Sequence, residues 1–185
     1  RIFDAMTGDL EWVCDFTQSR WSLPALADVT GDGVLDVLAT SGDRLLAIDV
    51  TKKTLAWEYY FDNHPLFPLL ADLNADGRLE VVCGFDEGIA VLHAEEPPLV
   101  WRQSGSSWHS RHLIPIGGDT AVMAGEGLQL LRLSDGYRLG LAPTSTAFGM
   151  SIVADIDGDR GLELVSQSDD CLVISELPSL KQRWS

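Results

Sequence analysis

Apolar positions come in short runs or in strict alternation along this chain, and each stretch is cut off by Gly, Asp, Asn or Ser, which predicts strands. In the first complete unit, Leu23 to Ala27, Leu35 to Ala39, Arg44 to Asp49 and Thr54 to Tyr60 read as four strands. No stretch combines apolar spacing of three and four residues with the capping residues a helix needs. The expected fold class is all-β.

The strands belong to a repeat. Leu26-Ala27-Asp28-Val29-Thr30-Gly31-Asp32-Gly33-Val34-Leu35-Asp36 aligns with Leu70-Ala71-Asp72-Leu73-Asn74-Ala75-Asp76-Gly77-Arg78-Leu79-Glu80 and with Val153-Ala154-Asp155-Ile156-Asp157-Gly158-Asp159-Arg160-Gly161-Leu162-Glu163. The first acids of these copies lie 44 and then 83 residues apart. Because 83 is close to twice 42, a degenerate copy is expected near residue 114, where His112 to Asp119 fits it without the acids of the others. Trp12, Trp57, Trp101 and Trp184 keep the same period, with Leu141 in the place of a missing one. A residue that recurs once per repeat at one register fills the same gap between neighbouring units, so packing is expected of these indoles.

Four strands in about 42 residues is the arithmetic of a β-propeller blade. Residues 1–16 then supply the last two strands of an earlier blade, and full blades fall at 21–60, 64–104, 110–142 and 148–185. About four and a half blades do not close a ring, so the expectation is one propeller region that is part of a larger propeller, or whose ring is completed by a partner.

Composition narrows the partners. Thirteen basic residues against 28 acidic ones give a net charge of −15, which repels phosphate backbones, so nucleic acid is not expected and cations are. No apolar run has the roughly 18 residues of a membrane-spanning helix, and the opening Arg1-Ile2-Phe3-Asp4 lacks a signal-peptide pattern. Cys14, Cys83 and Cys171 are odd in number and widely spaced, forming neither a disulfide framework nor a zinc pair. Core positions are expected for Cys83 and Cys171, which sit in apolar runs.

Oxygen-bearing side chains recur at positions 1, 3, 5 and 9 of each loop, with acids at 1, 5 and 9 in all three. Calcium takes six to eight oxygens, so it needs several carboxylates gathered by a tightly curled backbone. Loop one offers Asp28, Thr30, Asp32 and Asp36; loop two offers Asp72, Asn74, Asp76 and Glu80; loop three offers Asp155, Asp157, Asp159 and Glu163. Carbonyls at position 7, from Val34, Arg78 and Gly161, would complete each shell, for up to three Ca²⁺ ions. An EF-hand is excluded, because position 12 holds Ala39, Cys83 and Ser166 in strand-like runs and no helix flanks the loop. Asp, Asn and Gly also make ordinary turns, but turn chemistry does not call for an acid again at position 9 in three copies. Gly33 and Gly77 at position 6 suit a positive φ, whereas loop three has Arg160 there and its glycine one residue later.

The segments DVTGDGVLD, DLNADGRLE and DIDGDRGLE resemble the calcium loops of FG-GAP repeats, found in integrin α-subunit propellers and many secreted bacterial repeat proteins. The resemblance covers three of the four full blades and implies a calcium-binding propeller, with adhesion, carbohydrate binding, lyase scaffolding and assembly among the roles of such folds. DAMTGDLEW also resembles the blade-end signature of pyrroloquinoline-quinone-type propellers, which include quinoprotein dehydrogenases and outer-membrane assembly lipoproteins. The acid-free third full blade and the displaced glycine of loop three depart from the FG-GAP pattern.

If the acidic loops join first and second strands, they share one rim with the third-to-fourth turns. The opposite rim then collects Trp21, His64, Phe67, Trp108, His109 and Arg111, whose aromatic and charged groups suit a protein or glycan ligand. His109 and His112 lack the helix and third ligand that a zinc site needs. GxSxG, HExxH, a phosphate-binding glycine loop and a dinucleotide fingerprint are all absent. The sequence therefore points to a calcium-stabilised propeller of an exported protein, extracellular or periplasmic, acting in adhesion or in protein or carbohydrate interaction. An enzyme scaffold (quinoprotein dehydrogenase or polysaccharide lyase) and an envelope-assembly scaffold are the alternatives.

Overall fold

A computed structural model describes residues 1–13, 23–86, 88–95, 99–104, 112–124, 128–142, 151–168 and 171–184. Among these residues there are eighteen strands and no helix. Ile2–Phe3 (β1) and Leu10–Trp12 (β2) form a two-stranded sheet. Four antiparallel four-stranded sheets follow, each built from strands consecutive in sequence. The first holds Ala25–Ala27 (β3), Asp36–Ser41 (β4), Arg44–Asp49 (β5) and Thr54–Tyr60 (β6). The second holds Pro65–Ala71 (β7), Glu80–Phe85 (β8), Gly88–His93 (β9) and Leu99–Ser104 (β10). The third holds His112–Gly117 (β11), Thr120–Ala124 (β12), Leu128–Arg132 (β13) and Arg138–Ala142 (β14). The last holds Ile152–Ala154 (β15), Leu162–Ser168 (β16), Cys171–Leu177 (β17) and Lys181–Trp184 (β18).

The first strands β3, β7, β11 and β15 touch in succession, so each sheet sets its opening strand against that of its neighbours while the later strands stand further out. The core lies between the sheets. Ala27, Leu38, Leu45 and Ala47 of the first full blade pack against Val81, Cys83, Phe85, Ala90 and Leu92 of the second. Val82, Ile89 and Val91 face the other way, onto Ala121, Met123 and Leu131 of the third blade. Val122, Leu128 and Leu130 repeat the contact onto Leu164 of the last. Successive side chains of a strand point to opposite faces, so a middle strand covered on both faces must be apolar at every position. That is why Val81-Val82-Cys83 and Ile89-Ala90-Val91-Leu92 read as unbroken apolar runs. Cys83 is wholly buried, and burial pushes its thiol up to about 12.

The fourth strands carry the periodic tryptophans. The Trp57 indole packs against the cluster between the first two full blades, and Trp101 packs against the next one along. Leu141, at the place of the missing indole, is exposed.

The third full blade keeps four strands but shortens the first connection. Gly118 and Asp119 alone join β11 to β12, with φ of 110° at Gly117 and 55° at Gly118. One acid survives there. Asp119 accepts hydrogen bonds from the backbone N–H and hydroxyl of Ser134, just beyond β13. Asp36 does the same at the corresponding place in the first full blade, accepting from the N–H of Val50 just beyond β5. Asp119 therefore occupies the position-9 place in the degenerate copy, without the rest of the acidic loop.

Candidate metal centres

Each acidic loop joins the first strand of a blade to the second, and the three loops share one backbone course. Positions 4 and 6 have positive φ in every copy: 74° and 83° at Gly31 and Gly33, 60° and 86° at Ala75 and Gly77, 82° and 73° at Gly158 and Arg160. The glycine displacement in loop three does not displace the curl. Arg160 takes the left-handed conformation itself, and Gly161 has another use, since a Cβ there would sit 2.8 Å from Asp159 Oδ1.

The carboxylates hold the curl in register. At position 1, Asp28 accepts from the N–H groups of Gly31 and Gly33, each at 2.7 Å. Asp72 accepts from Gly77 at 2.9 Å, and Asp155 from Gly158 at 2.7 Å and Arg160 at 3.0 Å. At position 5, Asp32, Asp76 and Asp159 accept from the N–H two residues on, that of Val34, Arg78 and Gly161, at 2.8, 2.8 and 2.6 Å. At position 9, Asp36, Glu80 and Glu163 are almost wholly buried and accept from the N–H of Val29, Leu73 and Ile156 at 3.2, 2.8 and 3.0 Å. Bonding to backbone N–H favours the charged form, so Asp28 and Asp76 lie below the ordinary carboxylate value, chiefly through the N–H of Gly33 and of Arg78.

Position 3 differs among the loops. Thr30 Oγ1 is buried without a hydrogen-bond partner. Asn74 bonds Asp76 twice, accepting from its N–H at 2.9 Å and donating to Oδ2 at 3.0 Å. Asp157 Oδ1 accepts from the Asp159 N–H at 3.1 Å, while its Oδ2 accepts from the Arg183 guanidinium. That guanidinium holds Asp157 below its usual range.

The donor set suits a hard cation. Every side-chain donor offered by the loops to a metal is an oxygen, and Asp155, Asp157 and Asp159 each present one within 4.8 Å of the others. Two buried oxygens of the acidic loops lack a hydrogen-bond partner, Thr30 Oγ1 in loop one and Glu80 Oε1 in loop two. The latter has His93 Nδ1 3.4 Å away. The third-to-fourth turn of the first full blade shares the rim, since the Thr51 hydroxyl donates to Asp32 at 3.0 Å. Beside it, a cleft of about 760 Å³ opens between the first two full blades, lined by Thr30, Lys52, Trp57, Asp76, Arg78 and His93.

The opposite rim holds the remaining candidates that can be placed. His64 Nδ1 lies 3.1 Å from the carbonyl of Gly42, in the turn between β4 and β5, and the Phe61 N–H donates to Asp43 in the same turn. Blade-to-blade and second-to-third connections therefore share that rim, away from the acidic loops. His64 and Phe67 are both half-buried. Trp21, Trp108, His109 and Arg111 lie outside the described residues.

No protein-family model matches the sequence, and no curated protein matches it. Solved structures do match in shape. BamB from Moraxella catarrhalis superposes with a TM-score of 0.60 at 13% identity, over 84% of this chain and 50% of that one. BBS1N, solved in complex with ARL6DN, gives 0.60 at 9% identity, over 88% of this chain and 56% of that one. Hydrazine synthase from Kuenenia stuttgartiensis gives 0.59 at 17% identity, over 83% of this chain and 51% of that one. The fold is that of a partial β-propeller. This chain spans about half the length of these three propeller-like chains, and at such identities the likeness concerns architecture alone. Among the described residues no helix is long and apolar enough to cross a membrane.

Three features of the site escaped sequence reasoning. Arg183 enters loop three from 26 residues away, a distance no local motif encodes. Arg160 gave no signal of a left-handed backbone beyond its place in the alignment. Asp119 stood in the degenerate copy, but its role depends on Ser134 across the sheet.

Proposed function

We propose that this chain is part of a calcium-stabilised β-propeller of an exported protein and serves as an interaction module for a protein or glycan, as in adhesion. One observation carries the calcium part: three loops with the same left-handed positions bear acids at the same places in the sequence, and they present an oxygen-only donor set. Ten carboxylates in three short loops repel one another, and a bound Ca²⁺ would supply the positive charge that offsets this. Asp28, Asp32 and Asp36, then Asp72, Asp76 and Glu80, then Asp155, Asp159 and Glu163 would hold it, with Thr30, Asn74 or Asp157 at position 3. Backbone carbonyls of Val34, Arg78 and Gly161 are the position-7 candidates.

Export follows from affinity. Loops of three or four carboxylates suit the range of about 10⁻⁴ to 10⁻³ M typical of extracellular calcium modules, and cytosolic calcium would leave them empty. For the partner, propeller-like BBS1N is seen in a protein complex, and the rim bearing His64 and Phe67 offers aromatic groups of the kind interfaces favour. Thermal unfolding with calcium and with EDTA tests the reading. A melting temperature raised by calcium, together with calorimetric binding weaker than micromolar, supports it; identical melting curves or submicromolar sites would overturn the calcium or the export part respectively.

A further inference from the structure

Besides its displaced glycine, loop three and its blade differ from the other two at two places. Its position 3 is the acid Asp157, where loops one and two have the neutral Thr30 and Asn74. It is the loop with four carboxylates in place of three. The second difference lies on the fourth strand. Trp184 pairs with Ile174 as Trp57 pairs with Ala47 and Trp101 with Val91, so the residue before each tryptophan occupies one register in all three blades. That residue is Ala56 and Val100 in the first two full blades and Arg183 in the last. The extra acid and the extra base occur in the same blade, and they meet.

Arg183 hydrogen-bonds Asp157 Oδ2, lies 3.8 Å from the buried Glu163 Oε1, and bonds Glu176 Oε1 through Nε at 2.6 Å. Both oxygens of Asp157 are thereby engaged, one by Arg183 and one by the Asp159 N–H. In loops one and two a buried oxygen lacks a hydrogen-bond partner, Thr30 Oγ1 and Glu80 Oε1. In loop three the oxygen corresponding to the latter, Glu163 Oε1, faces the guanidinium. The guanidinium thus sits against the fourth carboxylate, the one that loops one and two lack.

We propose that Arg183 is the resident counter-cation of loop three, holding it in shape without metal and competing with calcium for Asp157 and Glu163. This rests on the calcium reading for its second half only. Loops one and two would then be the more metal-responsive pair, and loop three the weakest of the three calcium sites.

The test uses the whole chain as wild type, Arg183→Gln and Arg183→Gln/Asp157→Asn, the last giving loop three the Asn of loop two. Calorimetric titration with calcium chloride should find two ions in the wild type and, at loop three, a third that is at least tenfold weaker or undetected. A third ion, or at least tenfold tighter binding at loop three, should appear in R183Q. Three equivalent ions in the wild type, unchanged by R183Q, would overturn the competition while leaving the calcium reading intact. Melting in EDTA decides the rest without metal. R183Q should lower the melting temperature by about 2–4 °C, and adding D157N should restore much of the loss. If no form binds calcium, the calcium reading fails, and the counter-cation role stands on this melting pattern alone. An R183Q melt equal to wild type, or a loss that D157N does not relieve, would overturn that role.

Discussion

The indole N–H of Trp57 donates a 2.9 Å hydrogen bond to the carbonyl of Ala94, 37 residues further on and one blade away. Trp101 repeats the contact one blade later, donating to Leu133 at 2.7 Å. In both cases the acceptor lies just past the third strand of the next sheet, a carbonyl that the strand ladder leaves open. The indole therefore fills the seam between blades and satisfies a backbone group at its edge.

Trp57→Phe should retain most of the apolar contact and lose the N–H donor, costing about 1 kcal/mol for the unpaired carbonyl. Trp57→Ala should cost about 2–3 kcal/mol, below the range for a fully buried tryptophan because this ring is half-buried. Urea denaturation measures both. Equal losses for Phe and Ala would show that the hydrogen bond, and not the packed ring, dominates the seam.

The left-handed positions make a second prediction. Arg160 and Ala75 occupy a conformation that costs a side-chain-bearing residue roughly 1–2 kcal/mol relative to glycine. Arg160→Gly should therefore stabilise the chain by about 0.5–1 kcal/mol after the added flexibility of the unfolded state is subtracted. Gly77→Ala should lose about as much. A destabilised R160G would mean that its side chain contributes more than its backbone strain costs.

Gly88 is constrained by space. A Cβ there would lie 2.1 Å from the Gln103 carbonyl oxygen and 2.6 Å from the Phe85 ring. Backbone on the neighbouring strand cannot yield as a side-chain tip can, so Gly88→Ala should cost more than about 2 kcal/mol. Chemical denaturation of G88A is the measurement, and a loss under 0.5 kcal/mol would mean that β9 and β10 can part cheaply.

Acid should weaken the fold over a defined window. The Arg132 guanidinium, bonding Asp135 through Nε at 2.9 Å, brings that carboxyl from 3.8 down to about 2, and Lys52 lowers Asp49. A carboxyl whose folded-state value is depressed adds stability that is present above the unfolded value and is lost as pH falls toward the folded one. Stability should thus decline between about pH 4 and pH 2. Melting temperatures across that range, for wild type and Arg132→Gln, check it; R132Q should show less of the decline, and an unchanged profile would remove Asp135 as a contributor.

Much of the fold was legible because each signal was local. Arg44–Asp49 and Thr54–Tyr60 are strands at the expected residues, and Leu35–Ala39 moves by one residue at its start to Asp36–Ser41. Leu23 to Ala27 shrinks to Ala25–Ala27, since only those residues pair with β4. The acidic loops were legible as repeats, and their placement between first and second strands follows from the strand order. What the sequence withheld were contacts across the sheet or the seam: Asp119 with Ser134, Asp157 with Arg183, Trp57 with Ala94. No short window contains both partners, and periodicity reports which face a residue occupies without naming what it touches.

The tryptophan contact has a direction. At the two seams where it is seen, a donor from one blade's fourth strand meets an acceptor at the end of the next blade's third, so these seams are head-to-tail and neither pairs a unit with itself. A duplicate of the second full blade, which accepts at Ala94 and donates from Trp101, would meet the same donor and acceptor at its new seam. Copy number can therefore change in whole units during descent or in engineering without a new contact having to arise, and the loop chemistry of each copy is free to diverge, as the bare turn at Gly118–Asp119 and the arginine-filled loop beside it already have.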